Sequence, residues 1–201
     1  NGNDIDDATK KQIYEDIYDD SLWLINLVEN LLAVTRLEEG KMNISLTTEL
    51  VGDVITEALK HVHKKSEKQK ITVIQPDDLL LAKMDARLIV QVLINLLDNA
   101  VKYTPSDSQI TVTAKRDGNM VFVSVADNGD GIADEQKSRV FDMFYTGANK
   151  IADSRRSIGL GLSLCKSIIN AHGGEITITD NVPHGAIFTF TLPVGEVEVH
   201  E

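Results

Sequence analysis

Apolar residues near the start of the chain fall on a heptad. Ile17, Leu24 and Leu31 recur every seven positions, Leu27 and Val34 follow three residues after the last two, and Val28 and Thr35 widen the stripe. That period belongs to a helix that buries one seam, as in a bundle or coiled coil. It predicts one long helix over about residues 8–39, flanked by acids, with Gly40 as its C-terminal cap. An isolated helix of this kind cannot bury its seam. It is expected to need a partner helix, from another subunit or from chain beyond this sequence.

Past Gly40 two periods mix. "MNISLTTEL" reads as a short strand leading to a helix over about residues 51–69, capped near Thr48. "KITVI" and "LLLAKM" read as strands, and a helix follows over about residues 87–103. Two β-rich runs, 110–115 and 120–126, are joined by Asp117-Gly118-Asn119, a hairpin signal. A weaker helix covers 134–141, and the polar stretch 145–157 has no clear period. Helix resumes over about 160–172 and stops at Gly173-Gly174. "EITITD" and "AIFTFTLP" alternate as strands joined through "NVPHG", and the tail after Pro193 is acidic and expected to be loose. Hairpins without a strict βαβα order predict an α+β fold, with helices layered on one face of a mostly antiparallel sheet.

Charge narrows the function. The formal net charge is −11, and ten Asp/Glu against three Lys/Arg in residues 1–40 supply most of it. Broad contact with nucleic acid or an anionic membrane needs a basic surface, so neither is expected. The single cysteine, Cys165, permits no disulfide framework, fits a reducing compartment and sits at an apolar helical position where burial is expected. No run approaches the ~20 apolar residues of a membrane span. The first residue is Asn, not Met, so the chain is expected to be part of a longer protein.

Three polar islands interrupt the apolar pattern: "NLLDNAVKY", "DNGDGI" and "GLGLSLCKSI". The first lies within a helical run, yet Asn is a mediocre helix former. Asn95 and Asn99, four apart, share one face, which must meet something polar. The Asn99 amide oxygen can serve a cation such as Mg2+, which shares its ligands with phosphate and water. Lys102 points the same way and can meet phosphate as a point charge. "DNGDGI" follows a strand, so Asp127 can accept a hydrogen bond from an amino group while Gly129 and Gly131 let backbone approach a flat ligand. An EF-hand alignment fails, because Ala126 and Lys137 fall where acids are required. "GLGLS" lacks the lysine of a Walker loop and the third glycine of a Rossmann fingerprint, but a glycine-opened helix start can still present N–H groups to phosphate.

In that order and spacing the islands resemble a known set. Asn95–Tyr103, Asp127–Ile132, "FDMFY" (Phe141–Tyr145) and "GLGLS" resemble the N, G1, F and G2 boxes of sensor histidine kinases. "GGEITITDNVPHGAIFTFTLP" is similar to the end of the same ATP-binding domain, and the match covers about residues 47–194. The first helix, ending "LVENLLAVTRLEEGKM", resembles the second helix of the dimerisation and histidine-phosphotransfer hairpin. The wording of that helix and of "GANK" is most similar to potassium-sensing, Kdp-type kinases.

The resemblance implies a two-layer α/β sandwich of the Bergerat type behind one long helix. It divides the chain into a hairpin helix (1–40), an ATP-binding catalytic domain (41–194) and an acidic tail (195–201). Asp127 would bind the adenine amino group, and Gly129, Gly131 and Ile132 would shape the base pocket. Asn99 would hold Mg2+ with Asn95 beside it, Lys102 would touch phosphate and Tyr103 would flank the nucleotide. Gly159, Leu160, Gly161 and Leu162 would bring the helix start to the phosphates of ATP. Asn99 and Lys102 would be the catalytic pair. Residues 145–157 would form a lid, with Lys150, Arg155 and Arg156 as candidate phosphate contacts, while Phe141 and Phe144 would pack. Implied partners are a response regulator and, in the full-length protein, a second copy joined through the hairpin. The implied location is a cytoplasmic domain of a membrane-anchored protein, without membrane contact of its own.

One departure stands out. The family phosphorylates a histidine in a His-Glu/Asp-x-x-x-Pro context on its first hairpin helix. None of His61, His63, His172, His184 and His200 has that context. His61 and His63 are expected on a solvated helix face. The chain is therefore expected to bind Mg–ATP without phosphorylating itself. Rival readings are another ATPase of the gyrase, Hsp90 and MutL kind, and a nucleotide-sensing or scaffolding module.

Overall fold

In the computed structural model the heptad run forms α1 (Asp7–Glu38). The structure describes residues 6–40, 43–62, 69–76, 79–146 and 159–196. The N-cap Asp6 accepts a hydrogen bond from Thr9 N at 2.9 Å, and Gly40 ends the helix with φ +64°. Among the described residues, the contacts of α1 with the rest of the chain gather in its last turns. There Val34 is fully buried and Gln91 donates to Asn30 at 3.3 Å, while Ile17 and Leu24 stay exposed.

Thr48 lies in a strand rather than at a cap. β1 (Thr47–Leu50) pairs antiparallel with β3 (Leu81–Met84). α2 (Val51–Val62) follows at once, and its first amide donates to Leu80 O at 3.0 Å. The amide that a capping threonine would have served is thus taken by the neighbouring chain. The expected continuation over residues 63–68 lies outside the described residues, and Gln69 stands in a bend before β2 (Lys70–Ile74).

The larger sheet has five strands: β2, β4 (Gln109–Asp117), β5 (Met120–Asp127), β6 (Ile176–Asp180) and β7 (Ala186–Pro193). Their spatial order is β2-β4-β5-β7-β6, with only β2–β4 parallel. Gly118, at φ +57°, turns the β4–β5 hairpin. Period-two patterning sends Ile110 and Val112, Val123 and Val125, and Phe188 and Phe190 into the core. α3 (Ala86–Tyr103) and α5 (Gly161–Ala171) cover that face, and α2 packs beside α3. Their stripes, including Leu93, Leu97, Leu164 and Ile168, belong to the same apolar cluster. The expected α+β sandwich behind a long helix is the observed fold.

Two further expectations fail for tertiary reasons. The weak helix over 134–141 shrinks to α4 (Asp134–Lys137). Beyond it the chain tightens, with Arg139 N donating to Gln136 O at 2.9 Å and Asp142 N to Arg139 O at 2.9 Å. That tightening accompanies the burial of Val140 and an edge contact of Phe141 with Phe188 at 6.2 Å. The start of the acidic tail is not loose. Val194 N donates to Asn119 O and Gly195 N to Leu81 O, each at 3.1 Å, and Glu196 O accepts from Thr48 Oγ1 at 3.2 Å.

Candidate functional site

α3 carries the first island. Leu96, Leu97 and Ala100 are buried, while Asn95, Asn99 and Lys102 are half-buried and share one helical face. Asn95 is unusual. Its Nδ2 is buried with no hydrogen-bond partner among the described residues. A buried donor whose nearest polar company is a thiol still costs up to about 1–3 kcal/mol, which a leucine here would avoid. Its neighbour is Cys165, whose thiol burial pushes up to about 12, against the opposing pull of the Asn95 amide. That thiol is fully buried and donates to Val92 O at 3.8 Å, as its apolar position predicts.

The second island sits at the end of β5. Asp127 is 9% exposed, and its Oδ1 accepts from Gly129 N at 2.9 Å and Ala186 N at 3.3 Å. Gly129 fits flat against the C-terminal end of α3. A Cβ there would stand 2.8 Å from Thr104 Cγ2 and 3.3 Å from Tyr103 O. No larger residue could occupy the junction without moving Thr104, whose hydroxyl is held by donation to Ala100 O at 2.6 Å. Gly131 takes φ +75°, and Ile132 packs against the core.

The third island opens α5. A Cβ on Gly161 would lie 3.8 Å from Asn95 Cγ and Oδ1, so this helix start abuts the first asparagine of α3. Leu160 is buried and Leu162 packs on the core. Gly159, at φ +70°, presses against the Tyr145 carbonyl and accepts a hydrogen bond from Phe144 N at 3.1 Å. Phe144 does not pack as expected. It takes φ +64° and is 58% exposed, with its amide bonded to Gly159 O.

The second and third islands therefore both touch α3, one at Tyr103–Thr104 and one at Asn95, with Asn99 between these contacts. Tyr103 is partly exposed, and the Lys102 Nζ lies 5.5 Å from its ring centroid. Lys150, Arg155 and Arg156 lie outside the described residues, as do His63 and His200. His61 is on an exposed face, 3.6 Å from Glu57. Among the described residues no cluster of three or more His, Cys, Asp or Glu side chains could hold a metal. A cation here would rest on an amide and on its own ligands, as Mg2+ does beside phosphate. A cleft of about 520 Å³ bounded by Leu37, Phe141, Met143, Lys166 and Asn170 is lined by none of the expected site residues.

Sequence reasoning missed the supports. Thr104, Ala186 and the β6–β7 turn brace Asp127 and its loop. Their only signals were "NVPHG" and the residue after Tyr103.

Comparison with known proteins decides the family. The profile described as "Histidine kinase-, DNA gyrase B-, and HSP90-like ATPase" matches residues 84–196. The catalytic domain of histidine kinase ThkA is 30% identical with a TM-score of 0.66, covering 74% of this chain and 95% of that one. The chain belongs to this ATPase family, among its histidine kinase catalytic domains. The sensor protein KdpD of Clostridium acetobutylicum is 43% identical over 96% of this chain and 21% of its own length. ThkA in complex with the response regulator protein TrrA is 27% identical with a TM-score of 0.71, covering 95% of this chain and 53% of that chain. The chain spans less than half the length of the first curated relatives it matches. The α+β sandwich agrees with the fold of histidine kinase catalytic domains. No helix among the described residues is long and apolar enough to cross a membrane.

Proposed function

We propose that this chain binds Mg–ATP at the junction of α3, the Asp127 loop and the start of α5. In the whole protein it serves transfer of the γ-phosphoryl group to a histidine outside this sequence, for relay to a response regulator. The observation that carries this reading is the double contact with α3: Gly129 against Tyr103 and Thr104, and Gly161 against Asn95. The buried Asn95 Nδ2, without a close hydrogen-bond partner among the described residues, and the Cβ-free cradle at Gly129 fit a ligand-binding role better than a packing one.

In this reading the roles follow from the chemistry of each group. Oδ1 of Asp127 is occupied by two backbone amides, which leaves Oδ2 to accept from the adenine amino group. Gly129, Gly131 and Ile132 shape the base pocket, and Tyr103 flanks it. Asn99 offers an amide oxygen to Mg2+ with Asn95 beside it. Lys102 supplies positive charge to phosphate. Gly159 to Leu162 present a helix start, where N–H groups and the helix dipole favour anions. Mg2+, when bound, supplies charge neutralisation on the phosphate oxygens. The protein contributes position and preorganised charge, which is what phosphoryl transfer asks of it.

Residues 1–40 serve as the second helix of a dimerisation hairpin, 41–194 as the ATP-binding domain and 195–201 as a tail. The exposed seam of α1 then faces its hairpin mate and a second copy. The whole protein is a membrane-anchored, Kdp-type sensor kinase with this part in the cytoplasm, and neither nucleic acid nor lipid is a partner of this part. The test uses radiolabelled ATP with Mg2+, with and without a separately supplied hairpin carrying the acceptor histidine. Label is expected on the supplied histidine only. Stable label on His61 or His63, or no binding of Mg–ATP at all, overturns the proposal.

A further inference from the structure

The turn between β6 and β7 is given no contact with nucleotide in the reading above, yet it meets the Asp127 loop in four places. Asn181 Nδ2 donates to the Asp127 carbonyl at 2.7 Å. Gly185 takes φ +116° and meets the same carbonyl, and a Cβ on it would stand 2.9 Å from Asn128 Cα. The His184 ring Nδ1 lies 3.0 Å from the Gly129 carbonyl. A Cβ on Gly131 would lie 3.1 Å from Gly185 O. The next residue along, Ala186, donates its amide to the Asp127 carboxylate itself.

Asn181 is the member of this turn with the most constrained side chain. Its backbone N–H donates to Gly185 O at 3.0 Å, which closes the turn. Its Oδ1 accepts from Val182 N at 2.9 Å. Both ends of the amide are thus spoken for, and the Nδ2 group is aimed at one atom, the carbonyl of the residue whose side chain faces the base. The turn is anchored in its own right. Lys137 bridges Asp134 and Asp180, the residue before Asn181, at 2.6 Å to each. Asn181 makes none of its hydrogen bonds with the apolar core. It holds one peptide unit at the end of β5, the unit next to the Gly129 amide that pins the Asp127 carboxylate.

We propose that Asn181 is a positioning residue for base selection: it fixes the Asp127 peptide so that the free carboxylate oxygen meets an amino group on the base and disfavours a carbonyl there. This rests on the proposed binding of ATP at Asp127. Adenine presents an exocyclic amino group at the position where guanine presents an oxygen. A carboxylate held in place favours the first and repels the second. A carboxylate allowed to rotate loses both the attraction and the repulsion.

The experiment measures affinities of the parent chain and Asn181→Ala for ATP and for GTP, each with Mg2+, by competition with a fluorescent nucleotide. Melting temperature without nucleotide is recorded alongside. The parent is expected to prefer ATP. Asn181→Ala is expected to lose about tenfold in ATP affinity while GTP is unchanged or slightly tighter, at a melting temperature close to that of the parent. A parent without a preference for ATP overturns the reading on which this rests. A parent that prefers ATP with a variant that keeps the same ATP:GTP ratio overturns the role of Asn181, whether both affinities hold or both fall together. If Asn181→Ala does not fold, His184→Ala removes the neighbouring strut at Gly129 and is judged on the same ratio.

Discussion

α1 and α3 are both amphipathic helices, and they meet opposite fates. The apolar stripe of α3 disappears into the core, with Leu93, Leu96 and Leu97 each at most 1% exposed. The stripe of α1 stays open over most of its length, where Ile17 is 57% and Leu24 51% exposed, and closes only near Val34. The same period therefore carries different information in the two places. In α3 it reports a face already satisfied within the chain, which frees the opposite face for Asn95, Asn99 and Lys102. In α1 it reports a face that waits for another helix. Hydrophobic periodicity specifies that a face is to be buried, and only the fold decides by what.

That contrast can be broken most forcefully in the core. Leu97→Ala removes a fully buried side chain from α3. It is expected to cost about 2–5 kcal/mol in urea unfolding. A loss below 1 kcal/mol, on the order of an exposed site, would erase the distinction drawn here.

The polar face of α3 should behave the other way round. Asn99→Ala should leave unfolding free energy within about 0.5 kcal/mol of the parent. It should cost at least a tenfold factor, about 1.4 kcal/mol, in affinity for Mg–ATP, read as a smaller ligand-induced rise in melting temperature. Equal stabilisation of parent and variant by Mg–ATP removes Asn99 from the metal site.

Acid provides a third comparison, at the base of α3. His172 ends α5, where its Nδ1 donates to Ile168 O at 2.7 Å and its Nε2 accepts from Asp85 N at 3.0 Å, so the neutral ring is used at both nitrogens. Burial lowers its pKa below the ordinary value. A group depressed in this way gives stability that is present above about pH 6.5 and is lost as pH falls through the folded-state value. Stability should therefore fall between pH 7 and pH 5 by more in the parent than in His172→Gln. Equal slopes would mean that protonation of this ring is not resisted by folding.

α1 should yield the smallest effects. Asp6→Ala removes the cap to Thr9 and should reduce stability by about 1 kcal/mol or less, with fraying seen as a loss of helical circular dichroism. Leu24→Ala in the isolated chain should change unfolding by no more than about 0.5 kcal/mol. The same substitution should become costly once the seam is covered by a second helix.

What could be read from the residues followed from local chemistry. The heptad fixed α1, alternation fixed β4, β5 and β7, and Gly118 marked their hairpin. The asparagine pair marked α3, and the glycine-bearing turns marked the two segments that the fold brings against it. What could not be read depended on distant partners. Thr48 has the chemistry of a cap, but a strand thirty-odd residues away claims its backbone. Phe141 shortens α4 because Phe188 waits for its ring. Val194 to Glu196 look like a loose acidic end until Asn119, Leu81 and Thr48 bind them. His172 reads as an ordinary residue before a helix stop, although both its nitrogens tie α5 to the start of α3.

The bond from Phe144 N to Gly159 O carries a consequence beyond the site. It ties the turn that follows α4 to the residue two places before α5. The start of α5 is thereby tethered on one side by Phe144 and set on the other against Asn95, so a change at Gly159 should be felt at the first asparagine of α3.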